Sequence, residues 1–493
     1  LVKKHKYLLI AGAVLAILVF DLLVYLRPDF WSHNSEYQWR VLWHGKKSAA
    51  AGVFLLWSAV ISLAFLAGKR ISARLAGRKQ DLFAASLIFA LAVASPLVFS
   101  QVNQFGAHEL LVRVFVKDHT GYFSDAVKFR GAENLARAYK HDLMSVSTHG
   151  RTHPPAAALI FSGLNRAGRW EALQGLYKAL VNSGVRGRLE ENFGVGVAEQ
   201  TGGMLALWMM VLAGAISATL AYLLQRKFFT VDLCLVSGLA LVSMPAFSAK
   251  TPVMDQVFAV FILAAALVSV AGEKGRIWQG LAAGFLVGTG IWLSPGVWSA
   301  MLLIPLMVIA RDLGFAPRRK IQEVYESVMT VGLSAVLAAA FMVVAGSALL
   351  KVNYLDIFSI NRMGWYINNV GSGRVHAWKW ILFDPYEYFF WASVPIFAGF
   401  CVKLLAEIRE LRIPLAFAKP DKFFFAAVAF AAILNASGQV CYESPRLCWF
   451  FLPIIANLSI AGIAHHTQNL HSRILGAFLI LVTMQTVLVA LIY

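Results

Sequence analysis

Apolar runs of about twenty residues follow one another along almost the whole chain, and each is long enough to cross ~30 Å of hydrocarbon as a helix rising ~1.5 Å per residue. They fall at 7–26, 48–68, 82–101, 200–224, 230–249, 256–272, 278–293, 295–310, 325–349, 386–405, 423–438, 447–464 and 474–492, about thirteen in all. Hydrophobic residues make up 59% of the 493 positions and charged residues 14%. A soluble domain carries about 25% charged residues. Soluble enzymes, disordered chains and disulfide scaffolds are excluded. The expected fold is all-α, a polytopic transmembrane helical bundle.

The run at 7–26 follows Lys3, Lys4 and Lys6 and lacks a small-residue cleavage site. It reads as an anchor, not a signal peptide. With the N-terminus placed in the cytoplasm, the inner connections carry Lys69, Arg70, Arg74, Arg78 and Lys79, then Arg226 and Lys227, then Lys274 and Arg276. Arg311, Arg318, Arg319 and Lys320 follow, then Lys403, Arg409, Arg412, Lys419 and Lys422, then Arg473. Every inner connection is basic, as the positive-inside rule requires. The net charge of +18 (44 Lys+Arg against 26 Asp+Glu) is thereby assigned to topology, and no nucleic-acid partner is implied. The stretch 154–165 is too short and too Pro-rich to span, and it reads as a re-entrant or surface helix. Four stretches then face outside: loop 102–198, the turn Lys250–Asp255 at the outer interface, loop 350–385 and the turn Gly438–Arg446. Cys234 and Cys401 lie in apolar runs, and a Cys441–Cys448 bridge is open if its loop meets an oxidising compartment.

Chemistry-bearing residues concentrate in those outer stretches. Asp118, His119 and Asp125 lie within eight residues just beyond the third span, and a buried carboxylate there is able to serve as a general base. With a helix from Tyr122 onward, Asp118 and Asp125 are about two turns apart and share a face. The bland alternative is that Asp118 caps that helix. His149 and His153 are four apart, but Gly150 and the Pro154-Pro155 pair argue against a helix before Pro155, so the spacing does not make a metal pair. Instead, Pro154-Pro155 marks a helix start, with Arg151 and His153 beside an N-terminus suited to an anion. Asp255 opens a span, where an Asp either stabilises the helix N-terminus or faces the bundle interior as a functional group. Loop 350–385 mixes Lys351, Arg362, Arg374, His376 and Lys379 with Trp365, Tyr366, Trp378 and Trp380. Cations outside run against the inside bias, so they read either as snorkelling anchors or as a phosphate site. Glu443 and Arg446 either pair with each other or line the same outer cavity.

This order of motifs resembles the GT-C superfamily of integral-membrane glycosyltransferases, among them protein O-mannosyltransferases and lipid A aminoarabinose transferases. The resemblance rests on the D-x-x-x-Y motif Asp118–Tyr122 in a long first outer loop, the His153-Pro154-Pro155 step, the Met254-Asp255 that opens a span, and Arg362. It covers roughly residues 85–400, within a catalytic module at 82–405. Two extra spans at 1–81 would precede that module, and further spans at 406–493 would follow it. It implies a polyprenyl-phosphate-linked sugar donor and an acceptor hydroxyl on a glycan, lipid or protein, with Asp118 or Asp125 as base and inversion at the anomeric carbon. Tyr122, His153, Arg362, Arg374, His376, Glu443 and Arg446 would bind substrate or phosphate. Some relatives use a divalent cation and others none; here Asp118 with Asp255 would hold one, with His119 where many relatives carry Glu. The setting implied is the plasma (inner) membrane of a bacterium, with the site extracytoplasmic. A lipid or solute transporter, a non-catalytic envelope-assembly protein and, last, an intramembrane protease are the rival readings.

Overall fold

The computed structural model describes residues 46–103, 105–116, 121–142, 145–151, 153–272, 275–315, 321–369, 385, 388–411, 421–437, 449–467 and 472–492. Helices form the regular structure, and no strand occurs among the described residues. Six helices are long and apolar enough to cross a membrane: Ser48–Ile71, Arg78–Val102, Val197–Gln225, Pro295–Gly314, Ile321–Leu350 and Ile474–Leu491. The run at 7–26 lies outside the described residues. Several other expected spans are helices of only 12 to 16 residues. The run at 230–249 shows why: it is a 12-residue helix, a turn at Ser243-Met244 and a single helical turn opened by Pro245. Every piece is apolar, so hydropathy alone does not register the break.

We label the first two helices α1 (Lys47–Arg74) and α2 (Arg78–Phe99). The outer loop folds into α3 (His108–Phe115), α4 (Tyr122–Phe129), α5 (Ala132–His141), α6 (Thr148–Arg151), α7 (Pro155–Ala167), α8 (Glu171–Leu180) and α9 (Ser183–Phe193). The chain continues through α10 (Val197–Gln225), α11 (Val231–Val242), α12 (Pro245–Ser248), α13 (Asp255–Ser269), α14 (Arg276–Ile291), α15 (Ala300–Phe315), α16 (Ile321–Leu350) and α17 (Tyr354–Asn369). It ends in α18 (Val394–Leu411), α19 (Lys422–Ala436), α20 (Leu452–Thr467) and α21 (Ser472–Ile492).

The 29-residue α10 is the axis of the bundle, packed by α2, α7, α11 and α13. In a bilayer, packing between apolar helices depends on close approach rather than on hydrophobic burial, and small residues permit it. Gly280, Gly284 and Gly288, spaced four apart on α14, lie against Ser334, Ala335 and Ala339 of α16. A Cβ on Gly284 would stand 2.1 Å from the backbone oxygen of Ala335. The opposite face of α16 leaves Leu333, Leu337, Phe341 and Val344 exposed, as a lipid-facing stripe would be. Gly284→Ala is therefore expected to destabilise the protein by about 1–3 kcal/mol through overpacking. Gly332→Ala, where nothing stands within 4 Å, should instead be neutral or stabilising. Thermal unfolding of both variants in detergent checks the opposite signs.

Cross-links between helices fix the depth of each turn. Arg226, just past the end of α10, pairs with Asp81 of α2 at 2.7 Å, so both helices share one basic end. Ser95 of α2 hydrogen-bonds Val242 O and Ser248 Oγ; it lies fourteen residues along α2 from Asp81, or about 21 Å. Ser217 of α10 donates to Gln256 O at 3.1 Å; it lies nine residues before Arg226, or about 14 Å. The turn Lys250–Asp255 thus stands about 14–21 Å from the basic end, while α10 reaches about 43 Å. This corrects the expectation that the turn sits at the outer interface: α11 and α13 are too short to lift it there. α7 runs beside α10, with Gly168 against Ala198 and Gly202 at the outer end and its first residues near α13. Of the two placements that the sequence allowed for 154–165, this descent along α10 is the re-entrant one.

Candidate functional site

Gly121, at φ 56°, turns the chain into α4, so the residue at the N-cap position of that helix is Gly121 and not Asp118. Asp125, in the first turn, is 2% exposed and points at the next segment. Its Oδ1 accepts the Ser147 N–H at 2.9 Å, and its Oδ2 accepts the Ser147 hydroxyl at 2.6 Å. The Ser147 Oγ in turn accepts the Gly150 N–H at 3.0 Å. A carboxylate thereby serves the N-terminus of the one-turn helix α6 from across the fold. From α5, the Tyr139 hydroxyl donates to Gly150 O at 2.8 Å, and Lys128 donates to Ser145 O. Burial, reinforced by the Asp125 charge, raises the Tyr139 phenol well above its ordinary value of 10, so it remains a donor.

The helical turn Thr148–Arg151 corrects the reading that Gly150 forbids helix before Pro155. Gly150 is needed for contact instead: a Cβ there would stand 2.4 Å from Asp125 Oδ2 and 2.5 Å from Val146. α7 does begin at Pro155, with Pro154 at the N-cap position.

An aromatic chain joins three of the sequence-predicted stretches. The Tyr122 ring meets His153 edge-on at 5.5 Å, and His153 stacks on Phe258 at 5.9 Å. Tyr122 also stacks on Phe161 of α7 at 5.9 Å. Phe258 lies one turn beyond Asp255, which is half-buried in the first turn of α13. The loop at 350–385 reaches the same place, because α17 packs against α6. Arg362 is exposed on α17. Asp118, Arg374, His376, Glu443, Arg446 and the Cys441–Cys448 pair lie outside the described residues. Cys234 and Cys401 are free thiols. Among the described residues no group of three or more His, Cys, Asp or Glu converges as a metal site.

Three residues that the motif reading passed over hold the floor of this site. Arg113 of α3 is buried, donates to Ala249 O and to Thr251 O (3.4 Å), and faces Glu109 at 3.6 Å. Gln256 donates to Thr251 Oγ1 at 2.9 Å and accepts the Val253 N–H at 3.3 Å. Lys250 is 5% exposed, its ammonium 4.1 Å above the Trp391 ring. Such a cation–π contact is stronger when desolvated. Lys250 carried a legible signal, since it is a cation in an outer turn of a positive-inside chain. Arg113 carried none, because one Arg in a short amphipathic stretch reads as surface.

The arrangement supplies a rigid floor, an aromatic wall and acids at the foot of an outer helical cluster. Comparison of the chain with protein-family models and with curated protein sequences gives no match, so the functional reading rests on these residues and their geometry.

Proposed function

We propose that the chain is a GT-C-type membrane glycosyltransferase that moves a sugar from a polyprenyl-phosphate donor to an acceptor hydroxyl. In this reading the module spans 82–405 within about thirteen membrane segments, some of them short helices paired end to end, and the site faces away from the cytoplasm of a bacterial plasma membrane. One observation carries it: the Tyr122–His153–Phe258 chain and the α17–α6 contact gather the outer stretches around the turn before Asp255, sunk below the outer end of α10. A recess at that depth suits a lipid-linked substrate, whose phosphate sits near the interface and whose chain lies among helices.

Asp125 has both oxygens engaged by Ser147, so its part is to position α6. The base is then Asp118, four residues before Tyr122. It takes the acceptor proton as the oxygen attacks the anomeric carbon; the C–O bond to phosphate breaks with inversion, and polyprenyl phosphate leaves as an anion. Arg362, with Arg374 and His376, supplies preorganised positive charge for that anion. Tyr122 and His153 form the wall against which the sugar packs. A divalent cation, where one takes part, would use Asp118 with Asp255; carboxylate oxygens suit it, and no step above depends on it. Mass spectrometry of lipid extracted from the purified protein tests the reading. A copurifying polyprenyl-phosphate species is expected. Bilayer phospholipid alone, with no turnover of any polyprenyl-phosphate sugar, overturns it in favour of a transporter or an assembly scaffold.

A further inference from the structure

A groove of about 740 Å³ lies far from this site, between α2 and α10 at the basic end. That volume is ample for a single amphiphile. Arg78, Leu82, Ser86 and Phe89 form its α2 wall, and Thr219 and Leu223 its α10 wall. The α2 residues recur every three to four positions, so they share one helix face. Leu82 is 69% exposed and Ser86 is exposed, so the groove opens sideways toward the surroundings of the bundle.

Polarity is graded along it. Arg78 stands at the mouth, and Phe89, eleven residues further, closes the apolar end about 16 Å away. That length matches half of a ~30 Å hydrocarbon core, one leaflet deep. The charges at the mouth do not cancel. Asp81 pairs with Arg226 at 2.7 Å and accepts the Tyr222 hydroxyl at 3.0 Å. Arg78 makes no ion pair among the described residues, which leaves one net positive charge at the level of a headgroup phosphate. A cation there attracts an anionic headgroup. A second copy of the chain would not need a narrow slot that is charged at one end only.

We infer that this groove holds one anionic glycerophospholipid of the leaflet at the basic end, its phosphate at Arg78 and an acyl chain along Leu82, Ser86 and Phe89. The inference is independent of the glycosyltransferase reading.

Native mass spectrometry of the full chain, released from detergent after incubation with equal amounts of phosphatidylglycerol and phosphatidylethanolamine, tests it. The wild type is expected to retain one phosphatidylglycerol in preference to phosphatidylethanolamine. Ser86→Trp fills the groove from an exposed position and should cut occupancy at least ten-fold. Arg78→Gln should keep one lipid but lower the preference about five-fold, the factor that corresponds to about 1 kcal/mol per cation at a membrane surface. Arg74→Gln, an exposed cation outside the groove, should change neither quantity. Unchanged occupancy in a Ser86→Trp protein that melts like the wild type overturns the inference. So does unchanged preference in Arg78→Gln, and so does a dimer that Ser86→Trp dissociates.

Discussion

Asp118→Asn is expected to lower turnover of polyprenyl-phosphate sugars by a factor of about 10²–10⁴, the usual contribution of a positioned general base. Donor binding should persist, because the change removes no charge on which the leaving phosphate depends. The expectation follows from the fate of the neighbouring acid. Of the two carboxylates that frame Tyr122, Asp125 is buried and committed to Ser147 through both oxygens. Tyr122 itself is fixed between His153 and Phe161. The residue four positions before it therefore enters from a rigid anchor. Turnover is to be measured with saturating donor, and donor binding separately by retention of radiolabelled lipid. Wild-type turnover in Asp118→Asn would remove Asp118 from the chemistry. Loss of binding and turnover together would make it a structural or donor-binding residue.

Much of this framework was legible in the sequence because it depends on local rules. The Pro154-Pro155 start of α7 follows from the missing N–H and fixed φ of proline. Asp255 falls in the first turn of its helix because acids suit that position. The helix from Tyr122 follows from the glycine turn before it. What was not legible depends on distant partners. Nothing local shows that Gly150 is required by Asp125, twenty-five residues away, so its glycine reads as a helix breaker. The Gly280, Gly284 and Gly288 row has meaning only once α16 lies against it. The depth of the Lys250–Asp255 turn depends on where α11 ends, and an apolar break hides that boundary. Asp118, Arg374, His376, Glu443 and Arg446 lie outside the described residues, so their place in the site rests on the sequence and the resemblance.

Asp125→Asn and Asp125→Ala are expected to separate positioning from catalysis. In Asp125→Ala the Ser147 N–H and hydroxyl lose a charged acceptor in a buried setting, which costs about 3 kcal/mol. Ser147→Ala removes one of those two bonds and should cost about 1.5 kcal/mol. The double variant should cost less than the sum, because both changes delete the same Oγ–Oδ2 bond. Asp125→Asn is the informative case. Its Oδ1 still accepts the Ser147 N–H, and its new NH₂ donates to the Ser147 Oγ, which has a second lone pair beside the one that takes the Gly150 N–H. The hydrogen-bond chain survives with its charge removed. If Asp125 positions α6, Asp125→Asn retains turnover to within about ten-fold, whereas loss of a general base costs about 10²–10⁴. Thermal melts in detergent give the stability cycle, and turnover on the same preparations gives the second readout. A near-normal melt with turnover down a thousand-fold would hand the role of base to Asp125.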